Sequence, residues 1–269
     1  MKYGLIAGGG RFPLRLLSSA RRQGHEFVVV AIKEETAPEI EELAGNCHWI
    51  SLGELTKLIR ILKQEGITEA VMAGRVRHSR IFSSIRPDWK LLQLLRSLRR
   101  KNTDSLIGAV GEVLAGEGIT LIDSTKFLTP DMAAEGVLTK RSPTESELAD
   151  IEVGREVAAA LAGYDIGQTV VICERACVAV EAMEGTNDVI LRAGALSNHR
   201  PLTVVKTAKP NQDMRFDVPV VGPTTIEKMR QVNATALAVE AAKTLLLDPE
   251  ELLRAAEAAK IAMVGYVRR

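Results

Sequence analysis

The chain has 269 residues, of which 46% are hydrophobic and 26% are charged, a composition typical of a folded protein with about two domains. Its 35 basic and 34 acidic residues give a net charge of +1, which is too small for a protein whose whole surface binds nucleic acid. Three cysteines without a C-x-x-C pair argue against a disulfide framework or a zinc ribbon and favour a reducing compartment such as the cytoplasm.

The first 130 residues alternate strand and helix patterns. Apolar runs predict strands at residues 3–7, 27–32, 69–73 and 119–122, and leucines at helical spacing predict helices within 14–20, 54–65, 89–98 and 103–116. The connections are short, which favours parallel strands joined by crossover helices. We therefore expect an α/β domain with a parallel sheet in residues 1–130.

The second half has a different pattern. Residues 131–145 lose the periodicity and are interpreted as a linker, and Thr144 with Glu147 forms a capping-box pattern ahead of a long helix. Strands are predicted at 169–173, 176–182, 202–205, 216–220 and 262–267, helices at 225–231 and 249–259, and a helix-like apolar tract at 234–247. The first two of these strands have hairpin spacing. We therefore expect a mixed α+β domain in residues 146–269.

A glycine cluster follows the first predicted strand. Gly8 and Gly10 match the start of a dinucleotide-binding turn, but Pro13 occupies the position of its third glycine. Such a turn can present backbone amides to a phosphate, or it can serve only as a tight connection between a strand and a helix. An NAD(P)-dependent oxidoreductase therefore stands as an alternative function.

Basic residues cluster in the segment 75–101, which has nine Arg or Lys side chains and one acidic residue, Asp88. The segment is interpreted either as a solvated helix face or as a positive wall for an anionic ligand.

Residues 206–219 combine three cations, two carboxylates and two amides directly after a predicted strand. If residues 213–217 are extended, then Asp213, Arg215 and Asp217 share one side. A carboxylate there would activate water or hold a divalent metal beside a cation that neutralises phosphate. A solvated loop with a surface ion pair is the alternative interpretation.

A second polar segment, residues 181–188, also ends an apolar run. Thr186 or Asn187 can cap the following helix, while Glu184 and Asp188 are placed for metal or hydroxyl contacts. A capped turn without a ligand is the alternative.

In this order along the chain, the motifs resemble the UDP-2,3-diacylglucosamine pyrophosphatase family of the LpxI type, enzymes of lipid A biosynthesis. The resemblance rests on residues 4–10 with Pro13, 73–76, 101–104, 142–143, 165–168, 180–186 and 206–219. It implies a Rossmann-like N-terminal domain, a distinct C-terminal domain, and hydrolysis of the substrate diphosphate to UMP and 2,3-diacylglucosamine 1-phosphate with a divalent cation, usually magnesium.

The resemblance also implies roles for individual residues. Asp217 matches the family's essential aspartate, and the metal ligands implied are Asp217, Asp104 and Asp188. The substrate-binding residues implied are Gly9, Gly10, Arg75, Glu184, Thr186, Lys206, Lys209, Gln212 and Arg215. The sequence departs from the family pattern at Asn187, which precedes Asp188, and at Thr103, which replaces an acid.

The expected partner is the lipid-linked nucleotide UDP-2,3-diacylglucosamine, and no nucleic acid. We expect a cytoplasmic protein in peripheral contact with the inner face of the membrane, with a homodimer as one expected assembly. A non-catalytic carrier of the same ligand is the remaining alternative.

Overall fold

The computed structural model describes residues 2–76, 86–98, 103–198 and 200–268, without the side chains of residues 103 and 104, and the chain forms two compact units. The N-terminal unit comprises Met1–Leu128 together with Asp213–Asp217, and the C-terminal unit comprises Thr129–Gln212 and Val218–Arg269. A short segment therefore belongs by its contacts to the N-terminal unit, although the C-terminal unit precedes and follows it in the sequence.

The N-terminal unit is built on a five-stranded sheet with the order β3-β2-β1-β4-β5, in which every pairing is parallel. Its strands are β1 (Lys2–Ala7), β2 (Glu26–Ile32), β3 (Cys47–Ile50), β4 (Glu69–Ala73) and β5 (Thr120–Leu121). Its helices are α1 (Phe12–Arg22), α2 (Ile40–Ala44), α3 (Leu55–Gln64), α4 (Trp89–Ser97) and α5 (Thr103–Gly116). This strand order is that of doubly wound α/β folds, so the predicted parallel α/β architecture is confirmed.

The apolar pattern explains why these elements form. Residues 27–32 of β2 are all buried, as expected for a strand with neighbours on both edges and helices on its faces. In α3, Leu55, Leu58 and Leu62 fall on one buried face, which is the stripe that a helix packed against a sheet requires. The edge strand β3 was not predicted, because most of its short sequence is only partly buried and gives no clear alternation.

The C-terminal unit contains a six-stranded mixed sheet with the order β6-β13-β11-β9-β7-β8 and a two-stranded sheet formed by β10 and β12. The strands are β6 (Gly136–Val137), β7 (Thr169–Cys173), β8 (Ala176–Val180), β9 (Leu202–Lys206), β10 (Val220–Val221), β11 (Ala234–Glu240), β12 (Leu245–Leu246) and β13 (Ala262–Tyr266). The helices are α6 (Glu145–Gly163), α7 (Thr186–Leu196), α8 (Pro223–Gln231) and α9 (Pro249–Ala258). The central strands β9, β11 and β13 are parallel, whereas the pairings of β6, β7 and β8 are antiparallel. The predicted mixed α+β unit is therefore confirmed.

Two predicted elements were wrong. The tract 234–247 was interpreted as helix-like, but it forms the central strand β11 and the short strand β12. Its alanines and leucines favour a helix, yet β11 is buried on both faces of the sheet and so shows no alternation. The predicted strand 216–220 is also absent, because residues 214–216 form a turn and only Val220–Val221 are extended.

Local signals in the C-terminal unit were read correctly. The Thr144 side chain accepts from the Glu147 amide, and the Glu147 carboxylate accepts from the Thr144 amide, which completes the predicted capping box. Glu174 and Arg175 both have positive φ, at 50° and 64°, and they join β7 to β8 as a tight hairpin. Residues 131–145, interpreted as a linker, include β6, which pairs with β13. Within the described ranges, no helix is long and apolar enough to cross a membrane.

Candidate active site

A buried lysine ends β9 of the C-terminal unit. The Lys206 side chain is 7% exposed, and its ammonium lies 2.8 Å from Thr186 Oγ1 and 3.3 Å from Thr169 Oγ1. Glu181 Oε2 is 3.9 Å from the ammonium and makes no hydrogen bond to any described residue. The ammonium has three N–H donors, so its two threonine contacts leave one for a further anion, although the buried Glu181 carboxylate offsets part of its charge.

The beginning of α7 adds hydrogen-bond donors near Lys206. Gly185 precedes the helix with a φ of +87°, and Thr186, the first helical residue, donates from its hydroxyl to Glu181 Oε1 at 3.2 Å. The amides of a first helical turn carry partial positive charge and attract phosphate groups. Lys206, Thr186 and the start of α7 therefore bring hydrogen-bond donors together at the end of β9, beside the Glu181 carboxylate.

The two other polar side chains of this segment have different surroundings. Glu184 accepts from the Ala182 amide at 3.0 Å and from Arg192, and the hydrogen bond from Arg192 holds the pKa of Glu184 below its ordinary value. Asp188 is exposed in the first turn of α7. The structure thus supplies an internal partner for Glu184 and brings Thr186, but neither of these acids, into hydrogen-bond contact with Lys206.

A buried carboxylate that the sequence analysis did not single out lies at the end of β11. Glu240 is 7% exposed, and its Oε2 accepts from Thr207 Oγ1 at 2.7 Å and from the Ala208 amide at 2.9 Å. Arg268 donates to the same oxygen at 2.7 Å. Glu240 therefore fixes the chain where it leaves β9. In the sequence, Glu240 is marked only by being an acidic residue at the end of an apolar run.

The loop after Lys206 carries two further predicted residues of the site. The Lys209 ammonium is 2.6 Å from Asp165 Oδ1, and the Lys209 amide donates to Gln212 Oε1 at 2.7 Å. The predicted residues Lys209 and Gln212 thus lie together. Asp165, which belongs to the resemblance motif 165–168 but was not among the predicted site residues, is an additional acidic partner of Lys209.

Residues 213–217, part of the N-terminal unit, form a turn. The Asp217 amide donates to the Asp213 carbonyl at 2.9 Å, so the expected extended conformation with three side chains on one side is wrong. Arg215 instead folds back on Asp213, with its Nε 2.9 Å from Oδ1 and its Nη2 2.6 Å from Oδ2. The hydrogen bonds from Arg215 lower the pKa of Asp213. Asp213 is therefore engaged within the turn, and only Asp217 keeps the predicted catalytic role.

The glycine turn of the N-terminal unit is packed against the end of β4. The Gly8 amide donates to the Ala73 carbonyl and the Gly9 amide donates to the Arg75 carbonyl, both at 2.8 Å. A Cβ atom on Gly8 would lie 2.8 Å from the Arg75 carbonyl oxygen, so the neighbouring backbone would have to shift to accommodate a side chain. Close backbone packing therefore accounts for Gly8, and these two amides are engaged by the chain itself. Gly10 is exposed and has a φ of +90°.

The basic segment is described only in part. Arg75, Arg86 and Arg96 are exposed, and Lys90 pairs with Glu117. The remaining cations at 77, 80 and 99–101 lie outside the described residues, as does the side chain of Asp104, so the predicted roles of the segment and of Asp104 stay predictions.

An apolar cavity of about 160 Å³ opens in the N-terminal unit where β1 to β4 end. Its lining is almost entirely aliphatic, apart from glycines and a few polar groups, and includes Ile6, Ile32, Leu55, Met72, Leu106, Val110 and Phe216. Crevices beyond the carboxyl ends of parallel strands are the usual ligand sites of such folds. Phe216, the residue before Asp217, brings the 213–217 turn to this cavity.

Metal ligands were expected at three aspartates. Among the described side chains, no group of three or more His, Cys, Asp or Glu residues is close enough to hold a metal ion. Magnesium usually binds through one or two carboxylates together with substrate phosphates and water. A single carboxylate such as Asp217 beside a bound diphosphate is therefore a donor set that suits magnesium.

Comparison with protein-family models matches the chain to two domains. Residues 2–130 match the LpxI N-terminal domain, and residues 134–264 match the LpxI C-terminal domain. A protein of Caulobacter vibrioides named UDP-2,3-diacylglucosamine pyrophosphatase LpxI is 31% identical over 274 residues, which cover 98% of this chain and 97% of that protein.

Solved structures give weaker similarities. The biotin carboxylase domain of the Hydrogenobacter thermophilus 2-oxoglutarate carboxylase matches with a TM-score of 0.27 and 12% identity, over 65% of this chain and 35% of the other. The biotin carboxylase domain of a single-chain bacterial carboxylase matches with a TM-score of 0.28 and 14% identity, over 59% of this chain and 35% of the other. The chain thus spans about a third of these structures, and the similarity is too low to carry an argument.

Proposed function

The chain belongs to the LpxI family, and we propose that it is a hydrolase of lipid A biosynthesis that cleaves the diphosphate of UDP-2,3-diacylglucosamine to UMP and 2,3-diacylglucosamine 1-phosphate. The family match and the name of the relative support an enzyme of this type. Peripheral membrane contact and a homodimer stay predictions.

The observation that carries the proposal is the buried Lys206 ammonium beside Thr186 and the first turn of α7. A diphosphate carries negative charge that repels an attacking water and grows on the leaving phosphate. A fixed cation and oriented amides in a buried site stabilise that charge without reorganising. The hydrogen-bond donors around Lys206 favour an anionic ligand at this site.

The apolar cavity supports the second half of the proposed substrate. Acyl chains need a lining without polar groups, and each methylene removed from water contributes about 0.8 kcal/mol. The aliphatic lining of the cavity meets that need. We propose that part of an acyl chain occupies the cavity and contacts Phe216.

In the proposed reaction, a water oxygen attacks one of the two phosphorus atoms and the bridging P–O bond breaks. The electron pair of that bond leaves with the other phosphate, and the water gives up one proton. Asp217 orients the water or accepts that proton, and Lys206 neutralises the phosphate oxygens. Magnesium, held by Asp217 and the diphosphate oxygens, would supply further charge neutralisation.

The proposal is tested by incubating the purified protein with UDP-2,3-diacylglucosamine and magnesium and measuring UMP by mass spectrometry. We expect UMP and the sugar 1-phosphate in equal amounts. Asp217→Asn is the matched variant, because it keeps the shape of the side chain and removes its charge. We expect it to lose more than tenfold in kcat, or about 1.4 kcal/mol of transition-state stabilisation. An active Asp217→Asn protein would remove Asp217 from the chemistry.

Metal dependence is a separate prediction. We expect activity to disappear after metal stripping and to return with magnesium, because a divalent cation would neutralise the clustered negative charge of the diphosphate. Full activity in excess EDTA after stripping would contradict a metal-assisted reaction. Thermal unfolding with NAD or NADP is the parallel test of the alternative function, for which we expect no shift.

A further inference from the structure

Ser124 is fully buried in the N-terminal unit, and no step of the proposed reaction uses it. Its hydroxyl lies 2.6 Å from the carbonyl oxygen of Met72 and 2.6 Å from that of Arg215. Its amide donates to the Met214 carbonyl at 2.9 Å. Ser124 therefore contacts two consecutive residues of the 213–217 turn and, at the same time, the strand β4.

The neighbours of Ser124 hold it in this position. Asp123 accepts from both the amide and the hydroxyl of Thr125, at 2.7 and 2.6 Å, which fixes the local turn in which Ser124 lies. Met72 belongs to β4, a strand in the interior of the parallel sheet. The 213–217 turn is thus hydrogen-bonded to Ser124, which is itself hydrogen-bonded to an interior strand of the N-terminal unit.

We propose that Ser124 is a positioning residue for Asp217: it fixes the backbone of the 213–217 turn on β4 and thereby sets the position of the Asp217 carboxylate. The inference rests on the proposed role of Asp217. Internal bonds alone leave the turn able to move as a body, because the Asp213–Arg215 pair and the Asp217 amide bond are both within it. Ser124 supplies polar contacts that tie this turn to the sheet.

A hydrolase whose carboxylate is misplaced by about 1 Å loses up to about 100-fold in rate. We therefore expect Ser124→Ala to lower kcat by about 10- to 100-fold. We expect little change in KM, because the proposal gives Ser124 no contact with the substrate. Ser124→Cys keeps the size of the side chain with a weaker donor, and we expect an intermediate kcat. It also serves as the second variant if the alanine protein folds poorly.

Ser19→Ala is the matched control. Ser19 is a buried serine of the same unit whose hydroxyl donates to a backbone carbonyl, that of Phe127, at 2.7 Å, and it lies in α1 rather than beside the 213–217 turn. We expect its kcat to stay within about twofold of the wild-type value, as for a variant remote from the chemistry. A kcat loss in Ser19→Ala equal to that in Ser124→Ala would overturn the proposal, because any lost buried hydroxyl would then suffice.

Two measurements separate this inference from the proposed function. Hydrogen exchange of the residue 124 amide, which donates to the Met214 carbonyl, and tryptic cleavage after Arg215 report on the attachment of the turn, and we expect both to increase in Ser124→Ala and not in Ser19→Ala. Ser124→Ala added to Asp217→Asn should cause no further loss of kcat, since it acts through Asp217. Unchanged hydrogen exchange would overturn the inference. A kcat loss in the double variant equal to the product of the two single-variant losses would also overturn it. An inactive wild-type protein with a loosened Ser124→Ala turn would instead contradict the proposed function.

Discussion

Lys206 is the residue whose surroundings define its role most narrowly. It is a buried cation with two hydroxyl contacts and a buried carboxylate 3.9 Å away. The sequence analysis selected Lys206 within the charged segment 206–219 and through the family resemblance, and its role in binding stays a prediction. The sequence could not identify Thr169 or Glu240, because their importance arises from strands that are distant in the sequence and adjacent in the sheet.

We predict that Lys206→Met lowers kcat/KM by about 100-fold, because a charged hydrogen bond to phosphate is lost. The variant should also unfold at a lower temperature, with a cost of about 2–3 kcal/mol, because it leaves the Glu181 carboxylate buried without its cation. Adding Glu181→Gln should restore the melting temperature but not the activity. Recovery of activity in the double variant would contradict a direct role of Lys206 in binding phosphate.

At the scale of elements, predictions succeeded where the pattern was local. The capping box of α6, the β7–β8 hairpin and the leucine stripe of α3 each depend on neighbouring residues, and the structure contains all three. The prediction for β11 failed because its alanine-rich sequence has helical propensity, whereas its place in the middle of a sheet is decided by packing with β9 and β13.

The glycine turn after β1 gives a second prediction. We expect Gly8→Ala to destabilise the protein by about 1–3 kcal/mol, since its Cβ would overlap the backbone of Arg75. Gly163→Ala is the control, because no atom lies within 4 Å of its Cβ position. We expect this helical substitution to be neutral or slightly stabilising in thermal unfolding. A Gly8→Ala protein with unchanged stability and weaker substrate binding would favour a phosphate-binding turn instead.

A carboxylate shared by α3 and α4 gives a pH prediction. Hydrogen bonds from Lys63 and Lys90 lower the pKa of Glu117 from its ordinary value of 4.5 to about 2. A depressed pKa in the folded state contributes stability that is complete above pH 4.5 and is lost as the pH falls toward 2. We expect Glu117→Gln to lower the melting temperature at pH 7 and to melt like the wild type near pH 2. Glu156→Gln, at an exposed position of α6, controls for the loss of one negative charge, and an equal effect in that variant would contradict the prediction.

On the scale of the whole chain, the division into units does not follow the sequence. The 213–217 turn belongs to the N-terminal unit, although the family match assigns residues 134–264 to the C-terminal domain. The sequence predicted domains at 1–130 and 146–269, because composition and periodicity describe only continuous segments. A contact such as that between Ser124 and Arg215 cannot be read from either segment alone.

We predict that a fragment of residues 1–130 is incomplete. It lacks Phe216 at the apolar cavity and the Met214 and Arg215 carbonyl partners of Ser124. We expect this fragment to bind the dye ANS and to melt at a lower temperature than the same fragment joined through a glycine-serine linker to residues 213–217. Equal dye binding and equal melting temperatures for the two fragments would show that the turn adds nothing to the N-terminal unit.

The interrupted path of the chain also has a consequence during synthesis on the ribosome. Residues 1–128 emerge first, but the turn that completes their unit follows 85 residues later, at Asp213. Ribosomes add roughly 5–20 residues per second, so the N-terminal unit waits roughly 4–17 s without Phe216 at its cavity. During that interval its exposed aliphatic groups are available to chaperones and to neighbouring nascent chains.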